Sequence, residues 1–300
     1  VYGVERYIGT YTESLLGQTY PNIEFVIVND GTKDRSMEIF REILDNRFPH
    51  LKGRVHIYDK ENGGLPSARE FGLKHFSGDY FLFSDPDDVM ETTMVEKLVS
   101  TALETGSDIT YCDYWKESPK KVKLILENDY ADGDSAKWID DIFNWEAYSY
   151  LWRCLFKAEL YRDHDIVMPP YSMNEDTYIF SQFLEFAEKI AHLREPLYHY
   201  LIHEGSIANS KARKARNRVE RAINYMDLRA LFDSRGYKIM NDQTRRDIVA
   251  YAGWSILKFD RDNFKSYPEI LRECKTFRVG RNLRLPIFKQ FLLRSYLCCK

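Results

Sequence analysis

Much that would classify this chain quickly is missing from it. Five cysteines, Cys112, Cys154, Cys274, Cys298 and Cys299, are odd in number and follow neither a disulfide framework nor a zinc-ligand spacing, so they read as free thiols of a reducing compartment. No apolar run nears the ~20 residues that a bilayer-spanning helix needs, and no stretch reads as a secretory signal, so the expected location is the cytoplasm. An excess of one charge is missing too. A formal net charge of -3 over 300 residues excludes a generally basic nucleic-acid binder. Aromatic residues, by contrast, are plentiful: 21 tyrosines and 18 phenylalanines suit stacking on sugars or bases and suit core packing equally well.

The order of apolar patterns gives the fold class. Tyr7, Ile8, Tyr11, Leu15 and Leu16 have helical spacing, and the β-branched run Ile23–Val28 then ends in Asn29-Asp30-Gly31-Thr32. A helix through Met37, Phe40 and Leu44 follows, then a strand over Arg54–Tyr58, the Asn62-Gly63-Gly64 break and a helix over Leu65–Phe76. Phe81–Phe83 is the next strand, with a helix over roughly Thr93–Glu104 and a strand over Asp108–Asp113. This alternation predicts an α/β fold with a doubly wound, mostly parallel sheet flanked by helices. Further on, residues 116–137 read as a connection or edge ribbon, and Trp138–Tyr150 as helix-compatible. A helix opens at Asn174-Glu175-Asp176, and Pro196–Leu201 reads as a short strand. From Lys211 the chain turns helical and basic, which puts a boundary near residue 210: an α/β domain over 1–210 and a helical region over 211–300.

Loops that follow parallel strands gather at one edge of the sheet, where such folds place ligands. One of these loops, Asp85-Pro86-Asp87-Asp88, packs three carboxylates into four positions after the apolar Tyr80–Phe83. Like charges so close repel unless a cation or hydroxyl groups share the site, and carboxylate oxygens are the donors that Mg²⁺ and Mn²⁺ accept. Standing alone, such a tetrad is mostly a solvated turn. The Asn62–Arg69 loop adds a guanidinium whose planar fork matches phosphate. Acidic, basic and acidic sites around one crevice suit a nucleoside diphosphate bridged by a metal.

Taken together, Val1-Tyr2-Gly3, Asn29-Asp30-Gly31-Thr32, Asn62–Glu70, Ser84–Asp88, Trp152-Arg153-Cys154-Leu155, Glu175-Asp176 and Tyr200–Ile207 closely resemble the motifs of inverting family 2 glycosyltransferases of the GT-A fold. The type is that of bacterial surface-polysaccharide, teichoic-acid and glycoprotein synthesis, and the resemblance spans about residues 1–210. It implies a metal-dependent enzyme that moves a sugar from a UDP-sugar to a hydroxyl of a glycan, lipid-linked or protein-linked acceptor. Position by position, it implies Tyr2 against the uracil, Asp30 accepting from its imide N–H, and Asn62 and Arg69 on the donor, with Arg69 at the diphosphate. It implies Asp85 on ribose or metal, Asp87 on Mn²⁺ or Mg²⁺, and Asp88 beside them in a role the sequence does not separate. Asp176 is the implied general base and Glu175 orients acceptor or donor sugar. Ser206 and His203 fall in a loop over the diphosphate. The residue types suit the chemistry: negative charge builds on the departing diphosphate while a carboxylate removes the acceptor proton.

The chain also departs from the pattern. Asn29 stands for the usual first Asp, Pro86 stiffens the acidic loop, and Arg153-Cys154 replaces Asn-Lys. Glu70 stands where Asn is common, which predicts a negative charge near the diphosphate or sugar. The chain opens at the exit of what would be the first central strand, so residues before Val1 are expected in the intact protein. His199 and His203 resemble a metal pair, but an i, i+4 spacing suits a helix rather than the strand and loop read here. The basic run Lys211–Arg221 suits a phosphate-bearing acceptor, an anionic membrane or a solvated helix face. The cationic, apolar segment Leu283–Leu297 suits a membrane interface at the inner face of the plasma membrane, docking on the protein, or an oligomer contact. Two other readings remain open. A nucleotidyltransferase would want a basic Gly-rich loop near the N-terminus, and none is present; a catalytically idle nucleotide-sugar-binding scaffold fits less well with intact Asp87 and Asp176.

Overall fold

The computed structural model describes residues 1–130, 134–203, 213–236, 242–260 and 266–276. The chain forms two compact units. One comprises Val1–Ser135, Ser149–Met168 and Gln182–His203; the other comprises Ala136–Tyr148, Pro169–Ser181 and the chain from Glu204. No helix among the described residues is long and apolar enough to cross a membrane.

The first unit opens with α1 (Ile8–Leu16), β1 (Phe25–Asn29), α2 (Ser36–Arg47), β2 (Val55–Asp59) and α3 (Leu65–Leu73). Ile8, Tyr11 and Leu16 of α1 and Met37, Phe40 and Leu44 of α2 recur at helical spacing, and both stripes are buried with Phe25, Ile27 and Val55 in one apolar cluster. β1 and β2 pair in parallel, from Phe25 opposite Val55 to Asn29 opposite Asp59. Val1 lies alongside β1: its amino group donates to Val28 O (2.6 Å) and its carbonyl accepts from Asp30 N–H (3.1 Å).

β3 (Tyr80–Leu82), β4 (Val89–Met90), α4 (Met94–Thr105), β5 (Ile109–Ser118) and β6 (Lys121–Ile125) continue the chain. After α5 (Ser135–Phe143) come β7 (Cys154–Lys157), α6 (Glu159–Arg162), α7 (Glu175–Phe186) and β8 (Ile190–Leu201). The second sheet has the order β3-β7-β5-β8-β4, with β6 on β5. Met94, Leu98, Val99 and Ala102 turn one face of α4 onto Cys112, Tyr114, Trp152 and Tyr198.

The α/β class and the flanking helices are those expected, with less parallel pairing than strand-helix alternation suggests. β5 and β8 run parallel, whereas β3/β7, β5/β7, β5/β6 and β4/β8 are antiparallel. Alternation gives the order of elements but not the direction in which a strand re-enters after a long connection. The short strand expected at Pro196 is the end of a 12-residue one. Its register on β5 jumps from Leu193 opposite Cys112 to Pro196 opposite Asp113, a bulge that accommodates the proline and hides the continuity.

In its described residues the second unit is helical. It holds most of α5, the first turns of α7, and α8 (Lys214–Ser234), α9 (Asp242–Phe259) and α10 (Pro268–Thr276). Trp138 meets Phe180 edge-on at 4.9 Å and Phe143 meets Tyr225 at 5.0 Å, while α8 packs on α9 and the two helices bury Leu228, Phe232, Ile248 and Val249.

Candidate functional site

The acidic loop is fastened at both ends from inside the first unit. Ser84 Oγ is 2.7 Å from the hydroxyl of buried Tyr11, and Asp88 N–H closes the turn on Asp85 O (3.1 Å). The Tyr198 hydroxyl sits beneath the turn, accepting from Asp85 N–H (3.3 Å) and donating to Asp88 Oδ2 (3.1 Å). Asp88 Oδ1 accepts from Leu201 N–H at 2.7 Å.

These bonds separate three carboxylates that look alike in sequence. Asp88 is 2% exposed and faces the interior. Burial, then the charges of Asp85 and Asp87, hold its carboxyl well above the usual carboxylate range, although the bonds from Leu201 and Tyr198 oppose the shift. Asp85 and Asp87 remain partly open, at 25% and 30% side-chain exposure. Asp85 Oδ1 lies 3.2 Å from Arg69 Nη2, and the buried Arg69 guanidinium rests over Phe83 (5.4 Å). Asp87 Oδ2 lies 2.8 Å from His203 Nε2, and the His203 ring packs on Tyr7 at 4.3 Å.

Asp30 occupies the neighbouring strand end, at 3% exposure. Its Oδ1 accepts from Lys60 Nζ (2.6 Å) and Gly63 N–H (3.0 Å), and its Oδ2 from Gly64 N–H (2.9 Å) and Asn62 Nδ2 (3.2 Å). A carboxylate has about four lone-pair sites, so Asp30 is the organiser of the 60–64 loop. Gly31 makes the approach possible. Its φ is +70°, and a Cβ there would lie 3.0 Å from Asn62 N. Tyr2 is 54% exposed between Val1, whose carbonyl accepts from Asp30 N–H, and Gly3, whose N–H donates to Thr32 Oγ1 (2.9 Å).

Glu175 and Asp176 open α7 in the second unit, Glu175 buried and Asp176 half-buried. Asn174 precedes them in the left-handed conformation, φ 62°. Its Oδ1 accepts from Arg221 Nε (2.6 Å), and its Nδ2 donates to Tyr225 Oη (3.2 Å). Asn224 Nδ2 donates to the carbonyls of Tyr171 (2.8 Å) and Met173 (2.9 Å).

Asp30, Asn62, Arg69, Asp85, Asp87, Asp88 and His203 thus belong to one unit, with Tyr2 beside Asp30, and Glu175 and Asp176 to the other. Ser206 and Leu283–Leu297 lie outside the described residues. Glu70 pairs with Lys74, the residue that caps the same helix (2.6 Å). His199 is held by Glu117 (2.6 Å) and Glu91 (2.9 Å), separate from the bond that His203 makes to Asp87. Arg153, the departure from Asn-Lys, is fully buried against Glu127 (3.3 Å) and Tyr111. Sequence reasoning missed Lys60 and Tyr198. Nothing local marks Lys60. Tyr198 had one oblique signal: Trp152, one of the motif residues, stacks on it at 4.2 Å and 15°.

No three His, Cys, Asp or Glu side chains among the described residues form a metal cage. The donor set nevertheless fits Mg²⁺ or Mn²⁺, which take one or two carboxylates and complete their shell with water and substrate phosphates. Asp87 and Asp85 offer that chemistry, with His203 on the Asp87 carboxylate and its Nδ1 buried without a partner among the described residues.

Residues 1–159 match the sequence model described as glycosyl transferase family 2. The putative glycosyltransferase EpsH of Bacillus subtilis is 31% identical over 71% of this chain and 62% of its own length. The glycosyltransferase GlyA of Streptococcus pneumoniae is 32% identical over 69% of this chain and 30% of its own. The chain therefore spans less than two thirds of either relative. Among solved structures, residues 1–349 of S. aureus TarS in complex with UDP-GlcNAc superpose with a TM-score of 0.63 at 19% identity, covering 92% of this chain and 78% of that one. The mannosyltransferase PcManGT of Pyrobaculum calidifontis, in complex with GDP-Man and Mn²⁺, gives 0.59 at 13% identity over 100% of this chain and 78% of that one. At these identities the likeness concerns the fold, which is the GT-A glycosyltransferase fold.

Proposed function

The chain belongs to glycosyl transferase family 2, and on that footing we propose that it is a metal-dependent, inverting glycosyltransferase that moves a sugar from a UDP-sugar to a hydroxyl of a glycan, lipid-linked or protein-linked acceptor. The observation that carries the proposal is the division of labour in the acidic loop. Asp88 is buried as an anchor, while Asp85 and Asp87 stay partly open beside Arg69 and His203. The solved complex of TarS with UDP-GlcNAc supports a UDP-sugar as donor, and that of PcManGT with Mn²⁺ supports a divalent metal.

Asp87 and Asp85, with His203, would hold Mn²⁺ or Mg²⁺, whose charge offsets that of the departing diphosphate. Arg69 adds a fixed, buried guanidinium at the same group, so positive charge is in position before the sugar leaves. Asp30 keeps the 60–64 loop shaped for the nucleoside, which stacks on exposed Tyr2. Asp176 takes the acceptor proton as its oxygen attacks, which inverts the anomeric centre, and Glu175 orients the reacting groups. The proposed roles fall on both units: donor binding on the first, proton transfer on the second.

UDP-sugars with Mn²⁺ are expected to raise the melting temperature of the protein; none doing so would contradict the donor assignment. Asp176→Asn is expected to lower transfer by about 10²–10⁴-fold, the range for a lost general base, with UDP affinity unchanged. Loss of both would remove Asp176 from the base role.

A further inference from the structure

Trp145 stands where helix geometry favours glycine. α5 ends in two hydrogen bonds, Trp145 N–H to Ile142 O (3.2 Å) and Glu146 N–H to Asp141 O (2.8 Å). That pair is the pattern of a helix stop whose closing residue is left-handed, and Trp145 has φ 64°. A bulky L-residue is strained in this conformation and persists only where its surroundings or its use maintain it. Core packing is not that use, because Trp145 is 62% exposed.

The indole is supported rather than buried. The Arg221 guanidinium lies 5.3 Å from the ring centroid, and the Tyr251 ring lies 6.4 Å away. The same guanidinium donates through Nε to Asn174 Oδ1 (2.6 Å), and Asn174 is the left-handed residue directly before Glu175-Asp176. Arg221 therefore joins two strained positions of one unit. One presents an exposed aromatic face and the other opens the helix of the proposed base.

We infer that Trp145 is an acceptor subsite, a platform on which a pyranose ring of the acceptor glycan stacks. The inference rests on the glycosyltransferase reading and names the substrate chemistry on its acceptor side. A pyranose presents an apolar face of C–H groups to the electron-rich face of the indole, and its hydroxyl rim suits the guanidinium beside it. Arg221 is the positioning residue that ties this platform to the segment carrying Asp176.

The test uses Trp145→Gly, which removes the indole while installing the residue the turn favours, so its melting temperature is expected to equal or exceed that of the parent. The probes are the methyl glycosides of glucose, galactose and N-acetylglucosamine, observed by saturation-transfer NMR in the presence of UDP and Mn²⁺. At least one is expected to take saturation from the parent protein, to lose it by about fivefold or more in Trp145→Gly, and to recover part of it in Trp145→Phe. UDP-induced thermal shifts on the same samples separate the two readings. UDP binding in both proteins with glycoside signals unchanged by Trp145→Gly overturns the subsite and leaves the donor reading intact. Failure of UDP to bind the parent overturns the donor reading instead. No glycoside signal from the parent also overturns the subsite. So does a Trp145→Gly protein whose only change is a smaller oligomer in sedimentation, which would make the indole a contact between copies of the chain.

Discussion

Tyr198→Phe deletes one oxygen at the point where the acidic loop is tied to β8. That oxygen accepts from Asp85 N–H and donates to Asp88 Oδ2. The ring itself stays, fully buried and stacked on Trp152, so the change opens almost no cavity. A partly buried N–H and a buried carboxylate oxygen are each left short of a partner. An unpaired buried polar group costs about 1–3 kcal/mol, and Asp88 keeps its bond from Leu201 N–H, so about 1–3 kcal/mol in total is expected. At roughly 2–4 °C per kcal/mol, this is a readable drop in melting temperature. The functional consequence is larger than the structural one. Asp85 and Asp87 keep every atom but lose the tie that holds their loop, and partners of this kind are typically worth about 10–100-fold in metal affinity. The Mn²⁺ concentration giving half-maximal hydrolysis of a UDP-sugar should rise by that order while the saturated rate changes little. A variant that melts with the parent and titrates with Mn²⁺ at the same concentration would refute the reasoning.

Two further perturbations test other parts of the site's frame. Gly31→Ala forces a Cβ to within 3.0 Å of Asn62 N at a φ of +70°; the strain, roughly 1–3 kcal/mol, should loosen the loop that Asp30 gathers and weaken UDP binding by calorimetry. Unchanged UDP affinity would detach that loop from the nucleoside. At His199, burial opposes the charged ring, but bonds to Glu117 and Glu91 override it and raise the pKa above the ordinary histidine value. The stabilisation from a raised pKa is fully present below the unfolded value of about 6.5 and is lost as pH rises through the folded one. Urea unfolding of the parent should therefore weaken above about pH 6.5, a loss that His199→Gln should abolish; identical pH profiles would exclude the histidine as its source.

What the sequence reveals of the site is what lies next to a strand end. Asp30 and Asp85 were legible because each follows a short apolar strand, and Arg69 because it sits in the helix opened by the Asn62-Gly63-Gly64 break. Their supports were not legible. Tyr198 is 110 positions from Asp88 and His203 is 116 from Asp87, and no periodicity links residues that meet only through β8. β4 has two residues, too few to alternate, and β8 is broken in pattern by its own bulge at Pro196. The roles of Asp85, Asp87 and Asp88 separate only once burial is known, since three adjacent carboxylates are chemically the same until one is turned inward.

The helical region poses a different problem, since one basic residue of an otherwise exposed run is engaged inside the unit. The basic run from Lys211 suggested a phosphate-bearing acceptor, a membrane surface or a solvated helix face, and Arg213, Lys214, Arg216 and Arg218 are indeed exposed. Arg216, however, pairs with Glu220 one turn along α8 (2.6 Å), and Arg221 is engaged by Asn174 and Trp145. Arg221, Asn224 and Tyr225 are three and four residues apart, so they share one face of α8. All three bond to the Tyr171–Asn174 segment. That segment cannot rely on regular structure: Asn174 is left-handed, a conformation asparagine tolerates better than most residues, yet one that needs to be maintained. A phosphate would have to compete for Arg221 with a 2.6 Å hydrogen bond and, in winning, would release the residue that opens the helix of the proposed base. On this geometry α8 holds the Tyr171–Asn174 segment that precedes Asp176, the proposed base.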